Sequence, residues 1–453
     1  MNLMKYKYLF INMFKCFLFS VLAGLALAVS QVVAQDQTGF ISLDCGLPSD
    51  SESYNETTTG LHYISDYDFV ETGDSKSILP EFQAGKQQET WHLRSFPEEL
   101  RNCYRFNLTQ GNEYLIRAVF LYGNYDELGN LPKFDLYLGP NKWETISLTN
   151  ASTVSIKELI HVLPRSYLHV CLVNTGSGVP FINAIEIRPM NNGIYNNTES
   201  VSLNLFARLD VASESNQTIR YKDDVYDRIW IPYNKDEWKQ LSTNLTIDSD
   251  GDNSGFQPAS IVMRTAAVPK NVSGSLDISL KVDDPSLQFY TYVHFAEIQK
   301  LQGNESREMN IFLGEEYWYG PFNIDGYLST TTIYSISASS INGGNYTISI
   351  QRAENSTLPP ILNAIEIFSV KDFLELQTDE NDVDAIMKIK SSYGLKRNWQ
   401  GDPCAPQAYL WDGLNCSYDG NDPPRIISLN LSSWGLIGEI LSYLINLTSI
   451  EYL

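Results

Sequence analysis

The sequence predicts a mainly β protein: two tandem β-sandwiches of jelly-roll type, then a short helix and a cysteine-closed junction. Three observations carry this prediction. Short runs rich in β-branched and aromatic residues, with turn residues between them, recur from Phe40 to about Val370. Three of these runs return in the same order at an offset of 175 to 180 residues. Beyond Lys371 the apolar period changes from that of a strand to that of a helix.

The elements can be taken in order. FISLDCG from Phe40, YLIRAVFLYG from Tyr114, KFDLYLG from Lys133 and YLHVCLV from Tyr167 read as strands, and PFINAIEI closes the first module. The second module repeats the plan. FYTYVHF from Phe289 answers YLIRAVF, EMNIFLG from Glu308 answers KFDLYLG, and LNAIEI at 362–367 answers INAIEI at 182–187. A polar, turn-rich stretch from Met190 to Ser200 reads as the linker. Each half is long enough for a core of its own. Val383, Ile386, Met387 and Ile389 then follow helical spacing, which predicts a helix over 380–393.

The helix leads into WQGDPCAPQAYLWDGLNC, where Cys404 and Cys416 lie twelve positions apart among Pro, Gly, Asp and two tryptophans. Oxidised, a loop of that size contributes on the order of 3 kcal/mol by restricting the unfolded chain. Cys404–Cys416 is the expected disulfide, and pairing among Cys45, Cys103 and Cys171 stays open. After it, RIISLNLSSWGLIGEILSYLINLTSIEYL has leucine-rich-repeat spacing. Leu429, Leu431, Leu436, Ile440, Leu444 and Leu447 are the candidate core of this one repeat. A solenoid needs about three repeats to bury its apolar face, so the expectation is a truncated chain. The resulting division is 1–34 leader, 35–192 first sandwich, 200–370 second sandwich, 371–425 helix and disulfide junction, and 426–453 first repeat.

Charge narrows the function classes. With 54 acidic against 32 basic residues the formal charge is −22, which argues against nucleic acid and against anionic carbohydrate. Neutral glycans and basic peptides remain as partners. At the N-terminus, Lys5, Lys7 and Lys15 precede an apolar run from Phe17 to Val29, and Val32 and Ala34 have cleavage-site spacing, so a secretory signal peptide is expected. Thirteen N-x-S/T sequons fit that route: Asn55, Asn107, Asn150, Asn196, Asn216, Asn244, Asn271, Asn304, Asn345, Asn355, Asn415, Asn430 and Asn446.

Catalytic and metal patterns are weak. The five histidines are scattered without ligand spacing. Asp248, Asp250 and Asp252 resemble the opening of a calcium loop, but Asn253 and Ala259 stand where Gly and Glu are needed, so a solvated acidic turn is expected. Gly176-Ser177-Gly178 reads as a turn. Asp223 with Asp224 and Glu315 with Glu316 are neighbours that a strand would point to opposite faces, which suits no glycosidase pair. No cofactor, metal or catalytic residue is assigned. The candidate ligand-binding residues are aromatic: Tyr122 and Tyr125 in LYGNYDELGN, and Trp318 and Tyr319 in EEYWYGPF. An aromatic and acidic groove between the sandwiches is the expected place for a basic peptide.

FISLDCGLP, YISDYDFVETG, LRSFPEELRNCYRF, VCLVNTGSGVPFINAIEIRP and YDRIWIPY, with the Gly-Asp-Pro-Cys junction, resemble the malectin-like leucine-rich-repeat receptor-like kinases of plants. The resemblance runs from Phe40 to Leu453 and implies a pair of malectin-type sandwiches. It also implies a non-catalytic extracellular region that senses a peptide or a cell-wall carbohydrate. A membrane span and a kinase follow in that family, and neither motif set falls within these 453 residues. The family includes members that bind small basic secreted peptides with a co-receptor. Full-length relatives sit at the plasma membrane, and this chain is expected in the apoplast unless the leader is retained or the chain continues. The alternative is a secreted, lectin-like carbohydrate-binding protein.

Overall fold

The computed structural model describes residues 37–48, 51–191, 193–195, 201–340, 344–395, 398–420, 422–436 and 442–453. The leader, Cys16, Asn196, Ile440 and most of the expected linker lie outside the described residues. Within them the fold is mainly β, and two buried apolar clusters dominate it.

The first cluster lies between two sheets. One face comes from Ile41–Asp44, Ala184–Pro189, Glu113–Phe120 and Ser155–Val162. The other is the four-stranded sheet of Arg101–Asn107, Tyr167–Ser177, Lys133–Leu138 and Asn141–Ser147. Ile116, Ala118 and Phe120 meet Tyr104, Phe134, Leu136 and Leu172 in the shared core. The second cluster repeats this with Val201–Val211, Ala364–Asp372, Gln288–Ala296 and Thr330–Tyr334 against a four-stranded sheet of Leu276–Lys281, Asn345–Arg352, Met309–Leu313 and Glu316–Phe322. Register matches between the halves. Glu186 pairs with Arg117 and Glu366 pairs with Tyr292, three residues beyond Asn183 and Asn363 respectively.

Those two asparagines do the same work. Asn183 accepts from Leu121 N at 2.6 Å and donates to Thr90 O and His92 O. Asn363 accepts from Ala296 N at 2.8 Å and donates to Met263 O and Thr265 O. Each satisfies three backbone groups in a buried corner, where an unpaired amide is costly.

The halves are not separate beads on a linker. Ser155–Val162 pairs antiparallel with Val201–Val211 through Leu159 and Ile160 opposite Asn204 and Leu203. The large sheets therefore form one twelve-stranded sheet. A further apolar cluster, including Leu115, Ile160, Leu203, Tyr292 and Phe368, covers the seam. The segment 217–233 of the second half also lies over the outer face of the first half's sheet, where Arg117, Glu186 and Arg188 would otherwise meet water.

The helix runs Glu380–Tyr393, with the Asp379 side chain accepting from Asn381 N and Gly394 closing it at φ 61°. Val383, Ala385, Ile386 and Ile389 form its buried face. It packs with Trp399, Trp411, Leu414, Ile426, Leu429 and Leu447 in a third core. Strand Arg425–Leu429 pairs antiparallel with Leu414–Ser417 on one side, and Ser428 bridges in parallel to Tyr452 on the other. Leu431, Leu436 and Leu444 are partly buried against this core. No helix among the described residues is long and apolar enough to cross a membrane.

Candidate functional site

Three places combine unusual chemistry with a defined position: the seam, the junction and the aromatic loops. At the seam, alternating strand positions that look solvent-facing carry charges that are buried. Arg117 reaches Glu158 at 2.6 Å and also meets Glu186 and Asp227. Arg208 bridges Glu158 and Glu366 at 2.7 Å each, so it ties the halves together. Arg188 and Arg220 reach Asp227, and Arg228 is held by Asp224 at 2.9 Å. His294 stands 3.2 Å from Glu366 and 3.0 Å from Thr332. Burial opposes charge on Glu186, yet Arg220, Arg117 and Arg188 hold its carboxyl well below the usual range. Arg208 and Arg228 likewise overcome burial at Glu366. Five arginines face five carboxylates here, so the cluster is balanced in charge. A buried network of this kind is a positional device more than a source of net stability. It also occupies the place where a groove between the modules was expected.

At the junction the Gly-Asp-Pro-Cys run is docked on the first half. Arg101 donates to Ala405 O at 3.1 Å, to Asp402 O at 2.7 Å and to Gln400 O. Gly401 sits at φ 70°, and a Cβ there would come within 2.7 Å of Cys103 Sγ and 3.0 Å of Arg101. Asp402 is buried and accepts from Thr378 N, Cys404 N and Ala405 N, as well as from the Thr378 hydroxyl. Burial raises its pKa, and these donors oppose that rise. Trp399 and Trp411 stack at 5.0 Å. Among the described residues two disulfides are present, Cys404–Cys416 and Cys103–Cys171, while Cys45 is a buried thiol. The second pairing had no local sequence signal; it joins residues directly opposite across two antiparallel strands.

The aromatic loops part company. Tyr122 is fully buried, packs on Phe181 and Tyr125, and donates to Asp126 at 2.5 Å. Tyr125 packs against the same core with its hydroxyl 3.5 Å from Ser95. Neither ring is displayed, and the reason is tertiary: the loop folds inward against Phe181. Tyr122 is corrected from a ligand-facing to a core residue. Trp318 and Tyr319 stand on the strand Glu316–Phe322 and not on the expected loop; Tyr319 and Tyr317 are exposed, whereas Trp318 is half-buried against the second core. Tyr317 and Trp318 line a groove of about 800 Å³ with Glu316, Ser337 and Tyr346.

The other patterns resolve into structure. Asp248, Asp250 and Asp252 accept from backbone N–H groups of Asp250, Gly255 and Thr332. No cluster that could hold a metal exists among the described residues. His161, His169 and His294 are buried singly, and burial pushes His161 down to about 4. The asparagine of each of the twelve described sequons is exposed.

Comparison with known proteins follows this geometry. The family model described as "Malectin-like domain" matches residues 43–370. The LRR receptor-like serine/threonine-protein kinase IOS1 of Arabidopsis thaliana is 47% identical over 437 residues, 96% of this chain and 48% of that protein. A second Arabidopsis thaliana leucine-rich repeat receptor-like protein kinase is 46% identical over 451 residues, 99% of this chain and 50% of its own. The chain thus spans about half the length of the curated relatives it matches. Among solved structures, the ANX2 ectodomain of Arabidopsis thaliana superposes with a TM-score of 0.62 at 19% identity, covering 74% of this chain and 97% of that one. A crystal structure of the plant peptide RALF23 in complex with FER and LLG2 matches at 0.60 and 17% identity, covering 74% and 96%. These two likenesses concern the fold. The model match and the identity to these kinases together place this chain in the malectin-like family, related to leucine-rich-repeat receptor-like kinases.

Proposed function

We propose that this chain is the non-catalytic, extracellular ligand-sensing region of a malectin-like leucine-rich-repeat receptor, and that its ligand is a basic secreted peptide bound together with a co-receptor. In this reading the halves are tandem malectin-like sandwiches, residues 371–425 are the disulfide junction, and 426–453 begin the repeats. Residues 1–34 are the leader and the exposed sequons carry glycans.

One observation carries the peptide reading. The seam arginines are matched by carboxylates, and although further carboxylates such as Asp44, Glu113 and Asp402 are also buried, most of the excess of 54 acidic over 32 basic residues lies outside the buried set. Such a surface steers cationic ligands toward it and repels anionic ones. The peptide-bound FER structure, of similar fold, is in keeping with this. The test is binding of a panel of basic secreted peptides to the secreted chain at two ionic strengths, with and without a candidate co-receptor ectodomain. Affinity that falls with salt and rises with the co-receptor supports the reading; salt-independent or absent binding across the panel sinks it.

A second reading, a lectin-like protein taking a neutral glycan, rests on the groove beside Tyr317, Trp318 and Tyr319. Exposed rings beside hydroxyls suit the apolar face of a sugar. Neutral-glucan binding lost in Trp318→Ala, without any peptide response, would favour it.

A further inference from the structure

A cavity of about 500 Å³ opens between the first half and the segment that leaves the second half for the helix. Its volume falls within the range of roughly 300–1,000 Å³ typical of small-ligand sites. Leu138, Leu168 and Phe373 supply apolar wall. The polar groups are Arg165, Glu375 and Gln377, and His161 contributes a buried ring held by Ser202 at 2.8 Å. Arg165 is half-buried and forms no ion pair among the described residues, whereas the arginines of the seam and Arg94, Arg307 and Arg425 are all paired. On a chain this acidic, a cation left unpaired in a concave site is an open position for an anion. Glu375 is also without an ion pair, so the two charges line one cavity without meeting.

The rest of the wall is fixed. Asn141 donates to Glu375 O and accepts from Glu375 N, both at 2.9 Å, which pins that segment to the first half. Gly139, at φ 55°, leaves room for the Gln377 amide, because a Cβ there would lie 2.9 Å from Gln377 Nε2. Gln377 Oε1 is buried and has no donor among the described residues. The cavity therefore offers one cation, one outlying carboxylate and an apolar floor.

We propose that this cavity takes the C-terminal residue of a peptide: the terminal carboxylate on Arg165 and an aliphatic last side chain on Leu138, Leu168 and Phe373. Glu375 then favours a basic residue upstream. The proposal rests on the peptide reading of the preceding section and adds which end of the ligand is read. A sugar acid would satisfy Arg165, but its hydroxyls would face mainly carbon.

The experiment uses the full secreted chain and N-acetyl-Lys-Ala-Leu, either with a free C-terminal carboxylate or as the C-terminal amide, by calorimetry. The acid is expected to bind about tenfold or more tightly than the amide, since a charge-assisted bond is lost in the amide. Arg165→Gln should erase that difference with an unchanged melting temperature. Glu375→Gln should keep it while lowering the preference for Lys over Ala at the first position. Equal binding of acid and amide, a difference that survives Arg165→Gln, or trigalacturonate binding through Arg165 in place of the peptide would each overturn the proposal. A longer basic peptide that binds regardless of Arg165 would overturn the cavity assignment while leaving the receptor reading standing.

Discussion

The two halves share one plan and differ where each meets the rest of the molecule. Cys103 lies opposite Cys171 in the first half's back sheet, on the face turned away from the core, and the corresponding opposed pair in the second half is Asp277 and Ser349. Glu89, just before the first strand reached by Asn183, corresponds to Val262, just before the strand reached by Asn363. Asp44 stands beside His92 at 3.1 Å, while Asp210 stands beside Thr265 at 3.4 Å. Burial pushes both aspartates up to about 6. At these positions the first half carries a disulfide, a histidine and a buried glutamate where the second half carries a polar pair, a threonine and a valine. The first half is also where the junction lands, with Gly401 against Cys103 and Lys390 reaching Glu71 at 2.8 Å. The comparison suggests that extra fastening collects where another module docks.

Removing the shared tie should cost most. Arg208→Met leaves Glu158 and Glu366 buried without their common cation, and the expected loss is about 3–5 kcal/mol by chemical denaturation. It should also split one unfolding transition into two if Arg208 joins the halves; a small, single-transition change would remove it as the tie. Next is the covalent difference. Cys103→Ala with Cys171→Ala should cost about 2–4 kcal/mol and loosen the junction in hydrogen exchange. Replacing Asp277 and Ser349, the corresponding positions of the second half, by alanine should instead leave exchange at residues 398–416 unchanged.

The asparagine pair should behave symmetrically. Asn183→Ala and Asn363→Ala are each expected to cost about 1–3 kcal/mol, because both strand three backbone partners. A large inequality between them would show that the repeated motif is not a repeated role. The smallest effect concerns pH. Burial, helped by the negative Glu186, pushes the Glu89 carboxyl up to about 8. A raised carboxyl stabilises the fold below its unfolded value and loses that contribution as pH climbs toward 8. Stability should therefore fall by roughly 1–2 kcal/mol between pH 5 and pH 7 from this group. Glu89→Val, the residue of the second half, should flatten that slope in thermal melts.

Much of the fold was legible from local pattern. The helix appears in the spacing of Val383, Ile386 and Ile389, and its ends in Asp379 and Gly394. The repetition of the halves shows in INAIEI and LNAIEI, because each needs an asparagine at a buried corner and apolar residues on the core face. The candidate site was harder to see. Tyr122 and Tyr319 look alike in sequence, each in a polar loop after a strand, yet one is buried and the other exposed. The direction a loop folds depends on what it can pack against, and Phe181 is 59 positions from Tyr122.

By itself, then, the amino-acid sequence determined the β class, the duplication, the closing helix and the sign of the surface charge, since these depend on composition and on neighbours within one element. Only the tertiary structure decided that the halves share a sheet, that Arg117, Arg208 and Glu366 are buried, and that Arg101 grips the junction. Arg208 and Glu366 are 158 positions apart, and Arg101 and Asp402 are 301 apart. A charge on an alternating strand reads as solvent-facing until a distant segment covers it, and the energy that makes it tolerable comes from partners that no local window contains.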